Sequence, residues 1–336
     1  MEKPTLSLAY DPHLAPDILS GELMERLSGL CRILSAEPLR DFSDPVQLAL
    51  LSRTEILLTG WGAPRLDAGA MAAAGRLRLV AHTGSSIKPL TSPEVWQSGV
   101  TVVAAASANA VPVAEYALAA ILLANKDAFR SGERYRRERR WWHPQWIAPG
   151  ETGNYGAVIG IIGASRTGRH LLSLLQPFSM RTLLYDPYVD DADCRELQTE
   201  KVSLEELLRR SDTISVHAPA LPETHHMLGR DELAMLRDGA VIVNTARGSL
   251  IDAAALETEL LGGRLQAVLD VTDPEPLPPD SPLFTLPNVF LTPHIAGAAG
   301  HETHRMTELA IDEIRRFIRA QPLLHVITPD MLARIG

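Results

Sequence analysis

The chain has 336 residues, a length that suits about two domains. Hydrophobic residues make up 46% and charged residues 22%, which excludes a disordered, collagen-like or disulfide-scaffold chain. The 32 basic and 41 acidic residues leave a net charge of −9, so neither nucleic acid nor a membrane surface is the expected partner.

Through the first 105 residues, short apolar runs alternate with helical stretches. Strands are expected near 5–10, 30–35, 55–59, 77–82 and 100–104, with helices between them, such as 17–27 and 67–74. A long helical segment begins near Val111. Pro112 suits its first turn, because the missing N–H would be unpaired there anyway. The segment keeps helical spacing through Ala128 and turns basic toward Arg140. Arg134, Arg136, Arg137, Arg139 and Arg140 read as its solvated end. The apolar run 111–124 carries Glu115 and is too short to cross a bilayer. The stretch 141–156, with Trp141, Trp142, His143 and Trp146, reads as a loop or linker.

A second alternating series follows. Strands are expected near 157–162, 182–185, 213–217, 240–244, 265–270 and 289–291, and helices near 204–210 and 253–261. The proline-rich run 273–283 must be loop. An amphipathic helix closes the series near 302–319. Such alternation implies α/β architecture with two separate parallel sheets, each covered by helices on both faces. The two cysteines, Cys31 and Cys194, lie far apart and in no metal-ligand spacing, so no metal is expected. Their scarcity and an N-terminus without a signal-peptide pattern suggest a cytoplasmic protein.

The most informative local motif is an apolar strand running into Gly163-Ala164-Ser165-Arg166-Thr167-Gly168, with a helix after it. Gly163 permits a tight turn, Gly168 permits close helix–strand packing, and the helix N-terminus offers free N–H groups to a pyrophosphate. Ser165 replaces the middle glycine of this dinucleotide-binding pattern; its hydroxyl is a candidate phosphate donor. Asp186 ends the next strand, 18 residues beyond Gly168. A carboxylate there accepts from both ribose hydroxyls and repels a 2′-phosphate, which favours NAD over NADP.

From here the chain resembles the D-isomer-specific 2-hydroxyacid dehydrogenase family. The segments VIGIIGASRTGR, SDTISVHAPALPETHHML, MLRDGAVIVNTARGSLIDAAAL, AVLDVTDPEPLP and NVFLTPHIAG follow in family order, after PVAEYALAAILLANK. The resemblance covers about residues 75–320. It implies two Rossmann-like doubly wound domains, with the cofactor domain (107–296) inserted into a flavodoxin-like substrate domain (1–106 and 297–336). It also implies a cleft that closes over substrate and a homodimer contact through the long helix. The aromatic stretch would lie near that contact.

The resemblance assigns the chemistry to Arg247 in NTARG, Glu275 in DPEP and His294 in TPH. Reduction of a 2-oxo acid needs a proton donor at the carbonyl oxygen, which a histidine supplies. A neighbouring carboxylate orients such a ring and favours its protonated form. Arginine holds the substrate carboxylate and polarises the carbonyl. The hydride comes from or goes to NAD(H). Further cofactor contacts implied are Arg166, His217, Pro219, Thr224, Thr245, Ala246 and Asp270, the last accepting from the carboxamide.

One loop departs from the family pattern. Where relatives carry a Gly-x-Gly-x-Asp-like segment, this chain has Thr83-Gly84-Ser85-Ser86-Ile87-Lys88-Pro89. Gly84, Ser85 and Ser86 still suit an anion nest for the substrate carboxylate, and His82 and Lys88 add polar capacity. An extra acidic or polar group on the substrate is one implication. Two alternatives share the scaffold: a phosphite- or phosphonate-type dehydrogenase, and a non-catalytic NAD(H)-sensing regulator.

Overall fold

The computed structural model describes residues 2–141 and 153–332. The chain divides into two compact units, Met1–Asn109 with Ala298–Gly336, and Ala110–Gly297. Trp142, His143 and Trp146 lie outside the described residues; Trp141 is exposed.

The first unit is built on a six-stranded sheet. Its strands are β1 (Thr5–Ala9), β2 (Arg32–Ile33), β3 (Ile56–Thr59), β4 (Leu79–His82), β5 (Thr101–Ala104) and the late strand β13 (Val326–Ile327). The order is β13-β5-β4-β3-β1-β2. Every neighbouring pair is parallel except β13 with β5. The first five strands thus follow the flavodoxin-like order. They read as unbroken apolar runs because both faces are covered. Leu6, Leu8, Ile56 and Leu58 pack toward the helices Gly21–Leu30 and Thr303–Ile318, while Ala9, Leu57, Val80 and Val102 pack on the opposite side.

The second unit holds β6 (Val158–Ile162), β7 (Arg181–Tyr185), β8 (Glu200–Lys201), β9 (Thr213–Val216), β10 (Val241–Asn244), β11 (Gln266–Leu269) and β12 (Val289–Leu291). Their order is β12-β11-β10-β9-β6-β7-β8, with all pairs parallel. The strand order reverses between β6 and β9, and in open parallel sheets ligands bind beside that reversal at the carboxyl ends of the strands. Alternation along each strand feeds two cores: Ile159, Ile161, Val241 and Val243 enter one, Ile162, Ile214, Ile242 and Leu269 the other.

Every strand expected from the sequence is present, and two more are found. Three expectations need correction. The long helix starts at Ala106 rather than near Val111, so Pro112 lies inside it. Proline has no N–H to offer the carbonyl of Ala108, one turn back. The helix also does not run through to Arg140: it ends at Ala124, and a second helix spans Ala128–Glu138. Asp127, left-handed at φ 53°, makes the break. The arginines do fall in the second helix and just after it, with Arg134–Glu138 and Arg136–Glu133 paired. Finally, the helix Ala106–Ala124 is long and apolar enough to cross a bilayer by length and composition, unlike the shorter run read from the sequence. Here its Ala114, Ala117, Ala120 and Ile121 pack into a core of the second sheet.

Candidate active site

Because the second sheet is wholly parallel, the loops after β6, β7, β9, β10, β11 and β12 all leave from one edge. The loop after β6 turns at Gly163, whose φ of 98° is left-handed. A Cβ there would sit 2.6 Å from the Ala218 nitrogen, so the ends of β6 and β9 touch only because residue 163 has no side chain. A Cβ on Gly168 would overlap the carbonyl oxygen of Gly163, so the next helix, Arg166–Leu175, starts hard against the strand. Ser165 is that helix's N-cap: its Oγ accepts from the Gly168 N–H at 3.3 Å. The replaced glycine position thus serves the helix start. Arg166 is exposed and Thr167 half-buried, both in the first turn.

Asp186 follows β7 and is tied to the glycine turn. One carboxylate oxygen accepts from the Ala164 N–H at 2.8 Å and the other from the Tyr188 N–H at 2.8 Å. Each oxygen retains accepting capacity for a further donor. His217 is buried with Nε2 2.8 Å from the Ser215 hydroxyl, and burial pushes its pKa down to about 4. Its backbone and Cβ lie beside the glycine turn. Pro219 is half-buried, and the Thr224 hydroxyl donates to its carbonyl and accepts from the Leu221 N–H, closing a local turn.

After β10, Thr245 keeps a buried Oγ1 with no hydrogen-bond partner among the described residues. The Ala246 N–H donates to Asn244 Oδ1, and Asn244 Nδ2 donates to the Arg247 carbonyl, so the Asn244 side chain shapes this loop. The Arg247 Nη1 donates to the Ala246 carbonyl at 2.6 Å. At Gly248 a Cβ would overlap the backbone of Thr272, which brings the loop carrying Glu275 directly against the loop carrying Arg247.

His294 lies three residues beyond β12 and is left-handed at φ 56°. A non-glycine residue held there carries strain that its surroundings must offset. The surroundings are specific: its N–H donates to the Asp270 and Thr292 carbonyls. The Asp270 carboxylate, 2% exposed, accepts from Thr292 Oγ1 at 2.7 Å, the Ile295 N–H at 2.8 Å and the Ala296 N–H at 2.9 Å. His294 Nδ1 then meets Glu275 Oε1 at 2.6 Å. Asp270 therefore fixes the histidine loop. Sequence reasoning missed Thr292 and Tyr116, whose hydroxyls are 2.7 Å apart and extend this network. Each lies in a quoted family segment, but nothing local announces their pairing across 176 residues.

In the first unit, Gly84 is buried and Ser85 and Ser86 are half-buried. The Ser85 hydroxyl is buried without a hydrogen-bond partner among the described residues. Lys88 is exposed. His82, expected to add polar capacity, is instead buried, and burial pushes its pKa down to about 4. Among the described residues no cluster of His, Cys, Asp and Glu suits a metal ion.

The glycine turn, the helix start packed against it, an acid after the second strand and an orphaned threonine hydroxyl at β10 together fit a dinucleotide. The family model for the D-isomer specific 2-hydroxyacid dehydrogenase NAD binding domain matches residues 118–296. The chain belongs to that family. NAD(H) is its cofactor, and the protein is an NAD-dependent oxidoreductase. A glyoxylate reductase from Korarchaeum cryptofilum is 36% identical over 76% of this chain and 77% of its own. A D-3-phosphoglycerate dehydrogenase from Mycobacterium bovis is 35% identical over 80% of this chain, but the match spans only half of that longer protein. The solved D-mandelate dehydrogenase of Rhodotorula graminis superposes with a TM-score of 0.81 at 27% identity, covering 97% of both chains.

Proposed function

We propose that this dehydrogenase interconverts a 2-oxo acid and a D-2-hydroxy acid, with His294 as the acid/base group. The observation that carries this reading is the 2.6 Å contact between His294 and Glu275 on a loop fixed by Asp270. In reduction, the imidazolium gives its proton to the carbonyl oxygen; in oxidation, the neutral ring takes it back. The Glu275 carboxylate holds the ring through Nδ1, which leaves Nε2 for the substrate. Arg247 binds the substrate carboxylate and polarises the carbonyl. Gly84, Ser85 and Ser86 are assigned to the same carboxylate.

NAD(H), when bound, supplies or accepts the hydride. We assign it to the second unit: Gly163, Ser165, Arg166, Thr167 and Gly168 at the pyrophosphate, and Asp186 at the adenosine ribose. His217, Pro219 and Thr224 are assigned to the adenosine side. Thr245, Ala246 and Asp270 are assigned to the nicotinamide end. The first unit is assigned to the substrate. A two-fold dimer through the helix Ala106–Ala124 belongs to the same reading; Leu123 on that helix is exposed and apolar.

The test is NADH oxidation with a panel of 2-oxo acids running from glyoxylate and pyruvate to branched, aromatic, dicarboxylic and phosphorylated members. Glyoxylate leads the panel because the relative bearing that name matches most of both chains. Turnover lost in His294→Ala supports the reading. Tight NADH binding with no turnover of any member would overturn it and favour a sensing role.

A further inference from the structure

His82 ends β4 and is only 5% exposed. Its Nδ1 lies 2.9 Å from the Thr59 hydroxyl at the end of neighbouring β3. The Ser86 backbone lies close enough to the ring to oppose part of the effect of burial on it. A Cβ on Gly84 would overlap Nε2, so the chain crosses the imidazole with no room for a side chain. The same turn is fastened at its other points. Thr83 donates to the Thr59 carbonyl through its N–H at 2.7 Å and its hydroxyl at 3.0 Å. The Ala105 N–H reaches the carbonyls of His82 at 3.0 Å and Gly84 at 3.1 Å. The turn after β4 is therefore fastened at both ends, with Gly84 packed directly against the His82 ring.

We propose that His82 is a positioning residue: its buried ring is the template on which residues 83–86 take the shape that receives the substrate carboxylate. This rests on the assignment of Gly84, Ser85 and Ser86 made above. A neutral imidazole has one donor and one acceptor, and at Nδ1 it meets the Thr59 hydroxyl, which can play either role. Burial keeps the ring in that neutral state at ordinary pH. The Ser85 hydroxyl gives independent support. It stays buried without a hydrogen-bond partner among the described residues, so the loop is held against relaxing toward a bonding arrangement.

The experiment combines amide hydrogen exchange over 83–86 with kinetics on NADH and whichever 2-oxo acid the native protein reduces. The variants are His82→Ala, His82→Gln and Thr59→Val. For His82→Ala, we expect faster exchange at 83–86 and a KM for the oxo acid raised about tenfold or more, with kcat and NADH affinity within about threefold. His82→Gln, which retains a donor and an acceptor, recovers part of the loss. Thr59→Val removes one bond to the ring at nearly constant volume. It moves the same readouts less, and it carries the test if His82→Ala does not fold.

Unchanged exchange at 83–86 in all variants would overturn the proposal. So would a parallel loss of kcat, oxo-acid affinity and NADH affinity, the mark of general destabilisation. Absence of turnover by the native protein would overturn the carboxylate assignment instead, and the exchange readout would still decide whether His82 shapes the loop.

Discussion

Nδ1 of His294 and Oε1 of Glu275 lie 2.6 Å apart, although the residues occupy separate loops 19 positions apart in the chain. Both side chains are nearly half exposed, so their pairing adds little to stability and its consequence is chemical. His294→Ala should lower kcat by about 10²–10⁴ while leaving folding intact. Glu275→Gln keeps a hydrogen-bonding partner for the ring and should lose less than Glu275→Ala. Steady-state rates with melting curves for the three variants check this ranking. Equal losses for Gln and Ala would remove the orienting role of Glu275.

Asp270 should behave differently, because its buried carboxylate makes three bonds that hold the histidine turn. Asp270→Ala leaves the Ile295 and Ala296 N–H groups without their acceptor, at about 1–3 kcal/mol for each buried group left unpaired. Urea denaturation should show a clear loss of stability, accompanied by loss of turnover. Wild-type stability with normal turnover would show that the turn holds without the carboxylate.

Glycine substitutions separate required positions from permissive ones. Gly168→Ala places a methyl group on the Gly163 carbonyl, and Gly163→Ala adds strain at positive φ. Each should weaken NADH binding about tenfold or more, read by fluorescence titration. Gly75, with open space around its Cβ position, is the control: Gly75→Ala should stay within about 0.5 kcal/mol of wild type.

Two buried histidines make stability depend on acid pH. His82 and His217 are each held near pKa 4 by burial, against an ordinary 6.5. Between those values the unfolded chain binds more protons than the folded one, so stability rises with pH. The contribution is complete above pH 6.5 and is lost as pH falls through about 4. Urea midpoints from pH 7.5 to 4 should decline, and replacing either histidine by Gln should flatten that decline. An unchanged slope in both variants would show that other groups set the acid limit.

Much of this architecture is legible because a parallel strand buried on both faces is an apolar run with little ambiguity. The strands β8 and β13 escaped notice for a physical reason. Each has two residues, and Glu200–Lys201 is exposed and charged, so no apolar signal exists. The helix break at Asp127 depends on a backbone angle that no neighbouring glycine or proline announces. Arg247, Glu275 and His294 stood out as candidates because each lies in a short, ordered motif beyond a strand. Their support did not: Thr292 with Tyr116, and His82 beneath Gly84, are relations between elements distant in sequence or packed in three dimensions. Gly84 read as part of an anion nest; that its lack of a side chain also makes room for an imidazole is visible only in the fold.

The antiparallel strand β13 has a further consequence. Val326 and Ile327 pair with Val103 and Val102, and the buried Glu313 carboxylate holds the Leu324 and His325 N–H groups just before them. Without this segment, β5 would present an open row of N–H and carbonyl groups at the rim of a strongly apolar sheet. Val326 and Ile327 thus cover that edge of β5. Trimming the chain before Val326 should leave the dinucleotide unit untouched yet drive concentration-dependent self-association, visible by light scattering.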